Sequence, residues 1–211
     1  MSAIRLMVVE DESFTRSTLI AALNLHGIDV VADSGSVQTA VELAAALSPN
    51  AALIDLHLGA GPSGIDLAVH LRRLNPEIGI VMLTSYEDPR LLRGNLPDLP
   101  RGAQWLVKRT VTDVSIVATA IRNSLDSMSL ASLPAAQNPI MQKLSAVQVE
   151  TLRLVGGGFT NSEIAKKRYV SERSVEQTIS LLIKKFNLNE QPALNERASL
   201  VKVFYKYANS K

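Results

Sequence analysis

Four short apolar runs in the first part of the chain are each followed by side chains that can bind ions or transfer groups. The runs are IRLMVV, ALI, IGIVML and WLV, and the side chains after them are Glu10, Asp11, Asp55, Thr84 and Lys108. Runs of this kind are typical of buried strands. In open parallel sheets, working residues lie just beyond the carboxyl ends of the strands. We therefore expect these five side chains to meet along one edge of a sheet.

The chemistry of this set is that of cation binding and phosphoryl transfer. Crowded carboxylates repel, so one of them is pushed to protonate unless a cation lies between them. Hard oxygen ligands with room for water suit Mg²⁺, which binds a few carboxylates together with phosphate oxygens. A carboxylate can also act as a nucleophile, and Asp55 is placed centrally for that role. Mg²⁺ and Lys108 would neutralise the transferred group, and Thr84 would donate a hydrogen bond to it.

Strand and helix patterns alternate over residues 1–126. We expect strands at 4–9, 28–32, 52–54, 78–83 and 105–107, with helices between them and a last helix at 112–125. Single helices between successive strands imply parallel pairing through right-handed crossovers. The expected fold is α/β, an open doubly wound sheet. The segment PDLP at 97–100 disfavours a full helix between Thr84 and Lys108.

The second part of the chain has a different composition. Residues 127–141 read as a linker, and residues 142–211 predict helices at 146–155, 161–168, 172–186 and 195–208. Residues 1–126 hold 14 acidic and 10 basic side chains, whereas residues 127–211 hold 6 and 12. A basic domain suits a polyanion. Cysteine is absent, which excludes a disulfide framework, thiolate catalysis and a cysteine-ligated zinc site. No apolar run is long enough to cross a membrane, so a cytoplasmic protein is expected.

Two of these helices, 161–168 and 172–186, are separated by a tight turn that predicts a helix-turn-helix. On the second helix, Gln177 suits pairing with adenine and Glu176 can accept from cytosine N4. Lys184 and the backbone N–H of Asn161 suit phosphates. The predicted DNA-binding residues are Asn161, Arg173, Ser174, Glu176, Gln177, Thr178, Ser180 and Lys184. The alternative is a helical bundle that binds a protein.

The runs VVED (8–11), LIDL (53–56), LTS (83–85) and LVK (106–108) resemble the receiver domain of two-component response regulators. This resemblance implies a flavodoxin-like sheet in the order 2-1-3-4-5 and Asp55 as the phosphoacceptor. It also implies Mg²⁺ bound by Glu10, Asp11, Asp55 and the backbone carbonyl of His57. The switch residues implied by the resemblance are Thr84, Lys108 and the aromatic Trp105.

Residues 144–188 resemble the LuxR/NarL-type DNA-binding domain without gaps, with Glu176 where that family usually has lysine. By this resemblance, TNSEIAKK is the scaffold helix, VSERSVEQTISLLIKKF is the recognition helix and ASLVKVFYKYA is the dimerisation helix. The implied domains are a receiver at 1–126, a linker at 127–141 and an output domain at 142–211. The implied function is that of a DNA-binding transcription regulator, not an enzyme. It would act as a homodimer on double-stranded DNA and would be phosphorylated at Asp55 by a sensor histidine kinase.

Two other functions remain open. The loop LGAGPSG (58–64) is longer than the family's and Arg109 replaces its usual proline, which favours a regulator that works without phosphorylation. An aspartate-nucleophile phosphohydrolase is the second alternative. Such enzymes usually carry a second acid two positions after the nucleophile, where this chain has His57.

Overall fold

The computed structural model of the protein describes residues 3–93, 96–126, 139–188 and 196–208. These residues form two compact units. The first holds 3–85 with 96–126, and the second holds 86–93 with 139–188 and 196–208. The stretch 86–93 is therefore part of the second unit, although it lies in sequence between two strands of the first. Residues 127–138 of the predicted linker lie outside the described residues.

The first unit is built on a five-stranded parallel sheet. Its strands are β1 (Arg5–Val9), β2 (Asp29–Ser34), β3 (Ala51–Ile54), β4 (Gly79–Thr84) and β5 (Gln104–Val107). They lie side by side in the order 2-1-3-4-5, and every pairing is parallel, which confirms the predicted doubly wound fold. The central strands β3 and β4 are buried along their whole length, as expected for a sheet that is covered on both faces.

The helices of this unit are α1 (Ser13–Leu25), α2 (Val37–Leu47), α3 (Gly64–Leu74) and α4 (Val114–Asp126). Ser36 caps α2, because its hydroxyl accepts from the amide of Thr39. Leu23 of α1 is fully buried, but Phe14 in the first turn of the same helix is 79% exposed. The apolar stripe of α1 is therefore shorter than its sequence spacing indicates.

The connection from β4 to β5 contains one short 3₁₀ turn, Pro89–Leu91, among its described residues. Asp88 begins this turn by accepting a hydrogen bond from the amide of Arg90 at 2.9 Å. The expectation that the prolines of this segment disfavour a full helix agrees with this arrangement.

The second unit is helical. Its helices are α5 (Pro139–Gln142), α6 (Ala146–Gly156), α7 (Asn161–Arg168), α8 (Glu172–Lys185) and α9 (Glu196–Ala208). Leu152, Val155, Ile164, Val175 and Leu200 are among the residues of its core. On α9, Val201 and Phe204 pack against this core, whereas Tyr205 is 46% exposed. Within the described parts of both units, no helix has the length and apolar character needed to span a membrane.

Candidate functional site

The backbone of the sheet fixes two of the predicted carboxylates just past the ends of their strands. The amide of Asp55 donates to the carbonyl of Val9 at 2.9 Å, and the amide of Glu10 donates to the carbonyl of Ser34 at 3.0 Å. Both residues thus continue the hydrogen-bonding pattern of the parallel ladder by one step. Because the strands end level with one another, Glu10 and Asp55 lie side by side at the carboxyl edge of the sheet.

Lys108 joins these two carboxylates. Its Nζ lies 2.6 Å from Oε2 of Glu10 and 3.1 Å from Oδ2 of Asp55. Glu10 is only 3% exposed and Asp55 only 8%, so the ammonium group compensates charges that water barely reaches. Lys108 follows β5 directly, and the predicted convergence of residues 10, 55 and 108 is what the structure shows.

Burial and neighbouring charges together raise the pKa values of Glu10, Asp55 and Lys108. Desolvation raises the pKa of Glu10 and of Asp55 above their ordinary values, and the ammonium of Lys108 only partly offsets that effect. Burial also acts to lower the pKa of Lys108, but the charges of Asp55 and Glu10 outweigh it and raise that pKa overall. The pocket therefore favours the charged form of Lys108, whereas keeping both Glu10 and Asp55 ionised costs free energy.

The carboxylates of Glu10, Asp11 and Asp55 are spaced for a cation. Each offers one oxygen, and the three oxygens lie within 4.8 Å of one another. Asp11 is exposed, so one side of the group opens to solvent and leaves room for water ligands. A set of hard oxygen donors with an open side fits Mg²⁺.

Two residues that support this pocket were not singled out by the sequence. Arg16 donates from its guanidinium to the carbonyl of Glu10 at 2.6 Å and to Asp33 at 3.0 Å. Gly64, the first residue of α3, packs so tightly on Asp55 that a Cβ there would collide with the Asp55 carbonyl. The sequence signals that could have indicated these two roles are an arginine one turn into α1 and a glycine at the start of α3.

The remaining predicted residues of the first unit lie on the same strands or next to them. Thr84 is fully buried at the end of β4 and is opposite Val107 in the register. Trp105 on β5 is 8% exposed, and its indole N–H has no hydrogen-bond partner within the described residues. The side chain of His57 is exposed, and its backbone N–H, like that of Leu56, faces the Asp55 carboxylate.

In the second unit, α7 and α8 form the predicted helix-turn-helix. Thr160 and Glu163 make a reciprocal capping box at the start of α7, and the Ser171 hydroxyl accepts from the amide of Ser174 at the start of α8. Tyr169 ends α7 in a left-handed conformation with φ of 54° and is 96% exposed. These stop and start signals keep the turn at three residues.

One face of α8 is open to solvent. A shallow depression on it is lined by Arg173, Glu176, Gln177, Ser180, Leu181 and Lys184. Five of these six are predicted DNA-binding residues, so the structure brings most of that predicted set onto a single surface.

The structure does not place Thr178 with the other predicted DNA-binding residues on the exposed face of α8. Thr178 is 9% exposed, and its hydroxyl donates to the carbonyl of Ser174 at 2.9 Å. It lies one helical turn from Val175 on the buried side of the helix, and its hydroxyl is satisfied by the helix itself. Ser174 is half-buried, and its amide serves the cap of α8.

Asn161 is held within its own unit. Its side-chain oxygen accepts from the Arg197 guanidinium at 2.6 Å, and the same guanidinium donates to the Phe159 carbonyl. The predicted interaction of Asn161 with phosphate therefore depends on its backbone N–H in the first turn of α7.

Residues 6–97 match the sequence model of the response regulator receiver domain. With the sheet order and the pocket of Glu10, Asp55 and Lys108, this match defines the first unit as a receiver domain. The predicted resemblance of this part of the chain to the response regulator receiver domain is thereby confirmed.

Relatives extend the similarity to nearly the whole chain. The response regulator protein VraR of Staphylococcus saprophyticus is 28% identical over 199 residues, which cover 89% of this chain and 92% of VraR. The DNA-binding transcriptional activator DevR/DosR of Mycobacterium tuberculosis is 26% identical over 200 residues, covering 89% of this chain and 90% of DevR/DosR.

A solved structure shares the fold. RcsB of Salmonella enterica serovar Typhimurium, bound to the promoter P1flhDC in the presence of a phosphomimetic, gives a TM-score of 0.58 at 20% identity. The match covers 97% of this chain and all of that one.

Proposed function

We propose that this protein is a DNA-binding transcription regulator of a two-component phosphorelay, with Asp55 as its phosphoacceptor. The observation that supports the proposal most is the position of the Lys108 ammonium between Glu10 and Asp55, beside a third carboxylate at the open edge of the sheet. The VraR and DevR/DosR relatives, named as a response regulator and a transcriptional activator, point to the same function.

The chemistry assigned to the pocket is transfer of a phosphoryl group from a sensor histidine kinase. An oxygen of Asp55 forms a bond to phosphorus while the bond between phosphorus and the histidine nitrogen breaks. Mg²⁺, held by Glu10, Asp11, Asp55 and the carbonyl of His57, would supply positive charge to the phosphoryl oxygens. Lys108 and the hydroxyl of Thr84 bind the same oxygens, and Trp105 responds to Thr84 as the aromatic switch residue.

Phosphorylation is tested by treating the full chain with acetyl phosphate and Mg²⁺ and separating the products on Phos-tag gels. We expect a retarded band for the wild type and no such band for Asp55→Ala, because the nucleophile is missing. Omitting Mg²⁺ is expected to remove most of the shift. A band that persists in Asp55→Ala would refute Asp55 as the acceptor.

The same gel separates this proposal from the first alternative, and a turnover assay separates it from the second. Without any Asp55-dependent band, the receiver acts as a dimerisation module that needs no phosphorylation. That candidate gains support from Lys108, which already compensates the acidic pocket in the structure. Repeated turnover of a phosphomonoester would indicate a phosphohydrolase instead, but His57 occupies the position of the second acid in such enzymes.

We assign recognition of double-stranded DNA to the exposed face of α8, with Gln177 reading a base and Lys184 binding a phosphate. Gln177→Ala is expected to weaken binding to the preferred duplex and to relax discrimination at one base pair, by about 1–3 kcal/mol. Lys184→Ala is expected to weaken binding to all sequences alike and to flatten the salt dependence. Fluorescence anisotropy with a sequence-selected duplex and its single-site variants measures both effects.

A matched control for this face is Thr178→Ser, which lies on the same helix but on its buried side. It is expected to leave base preference unchanged. Equal losses for Gln177→Ala and Lys184→Ala on every sequence would contradict the assigned roles. The domain limits proposed with this function are a receiver at 1–126, a linker at 127–141 and an output domain at 142–211 that binds DNA as a homodimer.

A further inference from the structure

The second unit contains a core residue that comes from the receiver part of the sequence. Leu91 is 1% exposed and belongs to the same apolar cluster as Met141, Leu144 and Leu152. Tyr86 packs against this cluster as well. The 3₁₀ turn Pro89–Leu91 contacts α6 and α9, so this short stretch fills a place in the helical core.

Polar contacts fix the same stretch at its other positions. The amide of Glu87 donates to the carbonyl of Tyr207, near the end of α9, at 3.0 Å. The Arg90 guanidinium donates to the carbonyls of Leu144 and Met141 at 3.1 and 3.0 Å. Met141 lies in α5 and Leu144 follows it, and the Met141 carbonyl also accepts from the amide of Leu144 at 3.1 Å.

A buried carboxylate holds Arg90 in position for these bonds. Asp88 is 2% exposed and accepts from Nη2 of Arg90 at 2.6 Å and from its Nε at 3.0 Å. The planar guanidinium can thus bind a carboxylate on one side and two carbonyls on the other. The contacts are specific in geometry, which distinguishes them from a loop that merely touches a surface.

We propose that residues 86–91 form an anchor that transmits the phosphorylation state of Asp55 to the output domain. The inference rests on the proposed function, and it adds the route by which the signal leaves the receiver. Thr84 at the end of β4 is the residue assigned to the phosphoryl group, and only Ser85 separates it from Tyr86. Two trans peptides span about 7 Å at most, so a displacement of Thr84 cannot be absorbed between them.

The anchor has two discrete arrangements, and the coupling depends on the balance between them. Either Leu91 is seated in the helical core while Arg90 binds the carbonyls of Leu144 and Met141, or the stretch is withdrawn, which leaves an apolar cavity and breaks the guanidinium bonds. A displacement of Thr84 shifts the balance between these two states. Because the anchor contacts α6 and α9, its withdrawal changes the environment of both helices.

The test is hydrogen–deuterium exchange of the full chain with and without acetyl phosphate and Mg²⁺. In the wild type, phosphorylation is expected to change exchange in peptides from 141–156 and 196–208. In Arg90→Ala this change is expected to fall at least twofold, while the Phos-tag band stays as strong as in the wild type. Arg90→Lys keeps the charge but loses the planar fork, and an intermediate change is expected.

Arg101→Ala is the matched control, because Arg101 lies in the same β4–β5 connection but in the first unit. It is expected to keep the full exchange response. A full response in phosphorylated Arg90→Ala and Arg90→Lys would overturn the anchor, and so would a phosphorylated wild type without any change in 141–156 and 196–208. Absence of the Phos-tag band in the wild type would overturn the proposed function and the anchor's role with it.

Discussion

Gly64→Ala is expected to damage the receiver more than any other single methyl group added to it. The new Cβ would collide with the carbonyl oxygen of Asp55 and would lie 2.9 Å from Cγ2 of Ile54. The first of these atoms is backbone, so neither a rotamer change nor a side-chain shift relieves the contact. We expect a loss of about 3 kcal/mol in the free energy of unfolding.

The same displacement is expected to slow phosphorylation, since it moves the phosphoacceptor Asp55 itself. A shift of about 1 Å in a reacting group commonly costs about 100-fold in rate. Urea unfolding and the rate of acetyl phosphate labelling measure the two effects. Gly157→Ala is the control, because its Cβ would meet nothing closer than 3.4 Å and its φ of −75° suits alanine. Unchanged labelling in a folded Gly64→Ala protein would show that the Asp55 backbone tolerates displacement.

Lys108→Met is expected to destabilise the receiver by about 3 kcal/mol at neutral pH, because it leaves two buried carboxylates without a counter-charge. Burial already raises the pKa of Glu10 and Asp55, and removing the ammonium raises both pKa values further. The folded variant then holds more protons than its unfolded chain. Its stability therefore increases as pH falls through the raised pKa values of these carboxyl groups, and decreases as pH rises above them.

Two additions to this experiment identify the cause of the loss. Millimolar Mg²⁺ is expected to restore part of the stability, since it binds the folded pocket only. Glu10→Gln in the Lys108→Met background is expected to restore part of it as well, because one orphan charge is removed. Lys202→Met on the exposed side of α9 serves as the control substitution. A Lys108→Met variant as stable as the wild type and insensitive to pH would contradict the assigned ion pairs.

The pocket could be predicted from the sequence because its placement follows from backbone geometry alone. Parallel strands that end level bring the next residue of each strand to one edge, so Glu10, Asp55 and Lys108 meet wherever the strands are recognised. The apolar runs that mark these strands are strong signals, and the strand order confirmed them. Gly64 and Arg16 escaped notice because their roles depend on tertiary contacts that no local pattern encodes.

On α8, hydrophobic periodicity in the sequence does not fully predict which residues are buried. Val175 and Leu182 define its buried stripe, but a stripe wide enough to cover a helical core also includes the positions beside it. Thr178 falls there, and its hydroxyl suggests exposure although the carbonyl of Ser174 satisfies it. A threonine hydroxyl on a helix can donate to a backbone carbonyl of the same helix, which allows the residue to be buried. The sequence pattern does not show this.

The contacts of Leu91 and Arg90 could not be predicted from the sequence for a different reason. Prolines in the β4–β5 connection correctly excluded a full helix, but a short apolar segment carries no information about which domain it joins. Its partners Met141 and Leu144 are some 50 positions away along the chain, and only the folded structure brings them together.

Residues 86–91 also bear on how such proteins exchange their parts during evolution. Recombination of domains succeeds when each piece carries its own complete interior, and the obvious place to divide this chain is the predicted linker at 127–141. A cut there would leave the helical piece without Leu91 and without the guanidinium that closes the end of α5. A chimera that grafts this output domain onto a foreign receiver must therefore import six residues from the middle of the original receiver sequence.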